Sequence, residues 1–363
     1  MSLHRTNTAR IGALTLAFIA VGCGGTFVRS FVNTQKEVDI KSDTYATPEK
    51  VVGGTAFVYM PPSGGASGPD AELLNTYAPI LVQGLDPKAK YPEDSDQIGS
   101  PRIRKNETGG CSVRIEPDHP VLYASVEKTR VFGKELTQLV YVFWFPRHPV
   151  GMVEKGEIDG GVLRVTLDAG KRPAIFEYVM ACGCWHGVFV EEHVEQWAEE
   201  EHPEKVSGKK WFVEAKVDNE DDWRVRDIVR GVGGMHRPIV FISAGEHRCV
   251  ALQTDLLVQN LKQLSSKNYR LAEYAELERL PMDGGAQGET GSMFNQAGLV
   301  WGAERKGEEK LFSTMDHGGW PRRLNAMKIH WDEEAWNSDS LLEKFLRLPK
   351  KVTLETATPA PRH

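Results

Sequence analysis

The segment Ala181-Cys182-Gly183-Cys184-Trp185-His186-Gly187 carries two of the chain's five cysteines and a histidine. No other stretch concentrates as much soft-ligand and redox chemistry. If the apolar run Ala174 to Met180 continues as a strand, alternation places Cys182, Cys184 and His186 on one face. Two thiolates and an imidazole suit copper or zinc, which accept sulfur and nitrogen ligands. On a straight strand Cys182 and His186 lie about 13 Å apart by Cα, at about 3.3 Å per residue. Thiolate and imidazole arms together reach roughly 9 to 10 Å, metal bonds included. The backbone must therefore bend, and Gly183 and Gly187 are the residues that permit it. His247, in Ser243-Ala244-Gly245-Glu246-His247-Arg248-Cys249, is the expected fourth ligand.

The same residues support other chemistry. Cys182 and Cys184 could cycle between dithiol and disulfide, at a straight-strand Cα separation of about 6.6 Å that a glycine kink would shorten. Cys184 could act as a catalytic nucleophile with His186 or His247 as base. Cys-Gly-Cys-Trp is similar to the papain signature but one residue short, and its flanks read as β. The c-type haem motif needs two residues between the cysteines and a histidine directly after, which is not the spacing here. The purely structural alternative pairs Cys182 with Cys111 or Cys249, buries Cys184 as a small hydrophobe and leaves His186 in the core.

The N-terminus reads as a targeting segment. Arg5 and Arg10 precede an uncharged apolar run, Ile11 to Gly22, too short to span a bilayer comfortably. Ala20-Val21-Gly22-Cys23 looks like a bacterial lipoprotein cleavage box, with Cys23 as the lipidated residue. That predicts a protein tethered to a membrane in the cell envelope, facing outside the cytoplasm. Residues 1–23 are then the signal segment, 24–50 a polar tether, 51–352 a single globular domain and 353–363 a disordered tail. In an oxidising compartment Cys111, Cys182, Cys184 and Cys249 invite disulfides. The net charge of -6 in 363 residues, with no basic stripe, argues against a nucleic-acid partner.

The elements that must position these residues read mainly as strands: 55–60, 121–126, 139–145, 161–168, 174–180, 186–190, 211–217, 238–243 and 248–253. Helices are expected over 70–82, 191–201, 266–280 and 332–348, and a loop over 86–108. The fold class is α+β, a mostly antiparallel or mixed sheet core with a few peripheral helices.

Other candidates are weaker. Tyr141, Trp144 and Phe145 with Arg147 and His148 read as core and turn, or as a pocket wall. Arg164 sits inside a strand, as a solvated residue, a structural ion pair or a carboxylate or phosphate ligand. His236 lies on a glycine-rich loop. The segments 138–149, 159–168, 182–186, 243–247 and 292–305 together resemble uncharacterised bacterial exported or lipoprotein-like proteins. That resemblance implies that the cysteine segment and Ser243 to His247 belong to one architecture. It implies no activity or cofactor.

Overall fold

The run Leu139-Val140-Tyr141-Val142-Phe143-Trp144-Phe145 sets the architecture. Its alternate side chains enter two different cores: Leu139, Tyr141, Phe143 and Phe145 one, and Val140, Val142 and Trp144 the other. A strand apolar on both faces must lie in a middle layer, because either face left in water would waste its burial. The computed structural model describes residues 51, 55–62, 70–85, 95–106, 110–147, 157–217, 223–230, 237–254, 261, 264–303, 320–329 and 335–354. All lie in the compact unit Thr47–His363. Strands take 45% and helices 15%, so the fold is β-rich with few helices.

The middle layer has seven strands. They are β5 (Val121–Val131), β6 (Lys134–Phe145), β7 (Asp159–Leu167), β8 (Pro173–Met180), β9 (His186–Glu191), β10 (Val225–Val229) and β14 (Arg270–Glu273). β5 to β9 form an antiparallel meander, while β10 joins β9 and β14 joins β5 in parallel at the two edges.

One face packs on a five-stranded sheet in the order β12-β11-β2-β1-β13. Its strands are β1 (Thr55–Met60), β2 (Ile80–Leu85), β11 (Ile239–Ile242), β12 (Cys249–Gln253) and β13 (Ser265–Asn268). The other face packs on a smaller sheet and on the C-terminal segment around Trp336, Leu342 and Phe345. The smaller sheet contains β3 (Ser100–Lys105), β4 (Cys111–Glu116), β15 (Leu280–Asp283) and β16 (Thr290–Gly291). Helices are short: α1 (Ala71–Thr76), α2 (Glu192–Glu201) and α3 (Leu341–Phe345).

Several expected elements are different. The helix expected over 266–280 is replaced by β13, β14, a 3-10 turn at Tyr274–Glu278 and β15. Pairing of Arg270–Glu273 with Val121–Ala124 wins over a weak helical period. The helix expected over 70–82 stops at Thr76, and Ile80–Leu85 becomes β2, paired on both sides. The expected strand at 211–217 is a turn. Its amides are taken by carboxylates: Glu195 accepts from Phe212 and Val213, and Glu214 from Lys210 and Trp211. The expected loop over 86–108 contains β3. Of the helix expected over 332–348, α3 forms a single short stretch, and 331–334 lie outside the described residues.

Candidate functional site

Cys182 and Cys184 lie in the turn that joins β8 to β9. The strand does not run on through the motif. Met180 N–H donates to the Trp185 carbonyl at 3.0 Å, closing the hairpin, and Gly183 N–H donates to the Met180 carbonyl at 2.7 Å. Gly183 has φ +76°, a conformation that side-chain-bearing residues rarely adopt. A Cβ there would also overlap the Lys328 carbonyl oxygen. The segment 320–329 crosses this turn, and Arg322 N–H bonds the Ala181 carbonyl at 2.9 Å. Ala181 N–H bonds the Gly160 carbonyl at 2.8 Å, tying the turn to β7.

The turn brings the two cysteines to a Cα separation of 5.4 Å, and they form a disulfide. Cys111 and Cys249, the partners considered for Cys182, take no part in a disulfide. Cys182 is fully buried and Cys184 half-buried. The Cys184 amide lies 3.3 Å from the Cys182 sulfur and donates to it. Both cysteines and Trp185 pack into the core shared with the five-stranded sheet. The Arg226 guanidinium lies 5.2 Å from the Trp185 ring centroid.

His186 faces the other way. The expectation of one face for Cys182, Cys184 and His186 fails because the chain reverses at Gly183, so alternation restarts at Trp185. His186 enters the opposite core, where its Nε2 lies 3.2 Å from Glu177 Oε1 and its ring meets Trp223 edge to face. Glu177 sits directly opposite Arg164 on β7. Arg164 donates twice to the carboxylate at 2.7 Å, bonds the Trp336 carbonyl at 2.9 Å and stacks over that indole. Trp336 Nε1 adds a bond to Glu177 at 3.2 Å. Burial pushes the Glu177 carboxyl up, but Arg164 and His186 outweigh it and hold the pKa at about 2. Arg164 is thus the structural ion pair among its alternatives.

His247 lies in the turn between β11 and β12, at φ +53°. Its Nδ1 is 2.9 Å from Asp159 Oδ2 and its Nε2 3.0 Å from Asp96 Oδ1. The ring stacks on Phe145 at 3.9 Å between centroids. Gly245 N–H donates to Asp96 at 2.7 Å, and Tyr178 Oη donates to the His247 carbonyl at 2.6 Å. Burial lowers the imidazole pKa, but the bonds to Asp159 and Asp96 outweigh it and raise the pKa to about 9. His247 is therefore an imidazolium at neutral pH.

The four expected metal ligands are thus distributed over three settings. Cys182 and Cys184 are joined to each other, His186 is bonded to Glu177, and His247 is bonded to two aspartates. Among the described residues no three His, Cys, Asp or Glu side chains are grouped as ligands of one ion. Tyr141, Trp144 and Phe145 are core, and Arg147 pairs with Glu157 at 3.7 Å. Cys23, His148 and His236 lie outside the described residues.

No family model, curated protein or solved structure matches the chain.

Its chemistry is therefore read from the site itself. Three residues of that site were missed in the sequence: Glu177, Asp96 and Asp159. Glu177 had a visible signal, a lone carboxylate inside the apolar run Ile175-Phe176-Glu177-Tyr178-Val179, which demands a buried cation. The aspartates had none, since each meets His247 only through tertiary structure.

Proposed function

We propose that this is a membrane-tethered, envelope-facing protein whose Cys182–Cys184 pair exchanges electrons with a protein dithiol. The observation that carries the reading is the disulfide at a hairpin turn with Cys184 half-buried and Cys182 beneath it. A bond closing so short a loop constrains the unfolded chain little, so it is a poor structural staple. In the exchange, a partner thiolate attacks the Cys184 sulfur. A mixed disulfide forms, and Cys182 leaves as a thiolate that takes up a proton. The Cys184 amide donating to the Cys182 sulfur favours that departure. The partner's second thiol then attacks its own mixed-disulfide sulfur and releases Cys184 as a thiol. Two electrons pass to this protein, and the partner leaves as a disulfide.

The tether half of the proposal rests on Ile11 to Cys23, where the apolar run ends in small residues ahead of a cysteine. No helix among the described residues is long and apolar enough to cross a membrane. Palmitate labelling that persists in Cys23→Ser would remove this half without touching the redox half.

The redox half is tested by equilibrating the folded protein in thiol buffers of graded potential and trapping free thiols. Reduction is expected above about -300 mV, the level below which structural disulfides commonly lie. In Cys182→Ser, Cys184 is a free thiol that attacks the disulfide form of the buffer thiol and releases one buffer thiol. It is expected to stay trapped as a mixed disulfide, with no Cys182 to resolve it. A pair reduced only on unfolding overturns the reading. The soft-metal reading, copper or zinc on the same sulfurs, stands second. It needs the reduced pair, and the carboxylates hold both histidines expected to complete the site.

A further inference from the structure

Four cationic side chains gather around a concave surface away from the cysteine turn. A groove of about 510 Å³ opens at the seam between the middle sheet, at β5 and β14, and the smaller sheet, at β3 and β15. That size suits a small molecule. Arg102, Arg270, Arg279 and His119 line it, with Glu276 as the facing carboxylate and Tyr123 at its base.

These residues are not equivalent. Arg270 is clamped by Glu276 through two bonds, at 3.0 and 3.1 Å. Arg102 is held by Glu116 at 3.1 Å. Each has a fixed guanidinium with donors to spare, since one carboxylate cannot use all five. Arg279 and His119 are exposed, and among the described residues neither side chain has a polar partner. Tyr123 has a buried ring, only 2% exposed, and its hydroxyl likewise has no partner among the described residues. Pro101, Val121 and Leu280 supply apolar wall.

We infer that this groove binds a small organic oxyanion, a carboxylate or phosphate monoester with a short apolar body. Preformed guanidinium forks match the planar or tetrahedral oxygens of such groups. Two arginines already positioned by glutamates lose little freedom on binding, while Arg279 closes on the ligand from outside. The Tyr123 hydroxyl donates to the same oxygens from below, and the apolar walls cover the carbon chain.

The test is isothermal titration calorimetry of the full-length chain in a neutral detergent, with butyrate, propyl phosphate and uncharged butyramide as probes. Saturable binding of at least one anion and none of butyramide is expected, and the tighter anion names the headgroup. Arg279→Ala should weaken binding about tenfold, the loss of one charge-assisted hydrogen bond. Tyr123→Phe should weaken it roughly fivefold, the loss of one neutral donor. Arg224→Ala, which removes the same charge from an exposed site outside the groove, should leave it unchanged. The inference is overturned if neither anion saturates, if butyramide binds as well, or if Arg279→Ala and Arg224→Ala weaken binding alike.

Discussion

Two hairpin turns carry the chemistry of this protein, and they solve opposite problems. The β8–β9 turn closes on a covalent bond between uncharged sulfurs, one of them half-buried. The β11–β12 turn closes on an imidazolium held between Asp96 and Asp159, buried completely. Losing the sulfur bond leaves two small, weakly polar thiols that a core accepts. Losing the imidazolium leaves two carboxylates in a place that cannot solvate them. On the proposed function, the contrast separates a turn that changes state from a turn that holds one.

The comparison breaks first at His247. His247→Ala removes the cation that both aspartates share and should destabilise the fold by about 4 kcal/mol, the cost of breaking a buried ion pair on one side. Urea unfolding of the variant measures it, and a loss below about 1 kcal/mol, the worth of an ordinary hydrogen bond, would show that the aspartates are satisfied otherwise. Next comes Gly183→Ala. It places a Cβ against the Lys328 carbonyl at a positive φ, so a loss of roughly 3 kcal/mol is expected from strain and displacement of the crossing segment. The wild-type disulfide should then be reduced more readily in the variant, because the turn no longer holds its sulfurs together.

Stability against pH sharpens the contrast between the two histidine settings. The His247 pKa is raised from 6.5 to about 9, so its contribution is complete below 6.5 and is lost as pH rises through 9. Glu177 is depressed from 4.5 to about 2, so the stability it adds is complete above 4.5 and is lost as pH falls through 2. Each limb spans on the order of 3 kcal/mol. Denaturant unfolding across pH should show the alkaline limb flattened in His247→Ala and the acid limb flattened in Glu177→Gln. If both variants flatten the same limb, the two settings are not independent.

The sequence carried the apolar centres of the meander, because β6, β7 and β8 leave continuous apolar runs there, but not the outer parts of β5 and β6, residues 127–131 and 134–138, nor β10. It misread 266–280 because an edge strand such as β14 is specified by its neighbour rather than by its own pattern. At the site, the clustering of Cys182 and Cys184 was visible, and so was the need for Gly183 to bend. What could not be seen was how far it bends. A kink would have kept His186 on the cysteines' side, whereas a full reversal sends it to Glu177. The pairing of His247 with Asp96 and Asp159 joins residues 151 and 88 positions apart, a separation over which local pattern carries no information.

The smallest effect discriminates most sharply between the two turns. By chain entropy a disulfide closing a three-residue loop stabilises by roughly 1.6 kcal/mol, against about 3 for a 15-residue loop. The double variant Cys182→Ser, Cys184→Ser should therefore lower the urea midpoint by roughly 0.5 to 1.6 M, and chemical reduction of the wild type should shift its midpoint by no more than the variant does. The serines pay a modest desolvation cost in the same core, which places the variant slightly below the reduced protein rather than above it. If reduction instead unfolds the chain, the bond is a staple holding segment 320–329 onto the sheet. The β8–β9 turn would then resemble the β11–β12 turn in purpose, and the exchange chemistry would lose its physical basis.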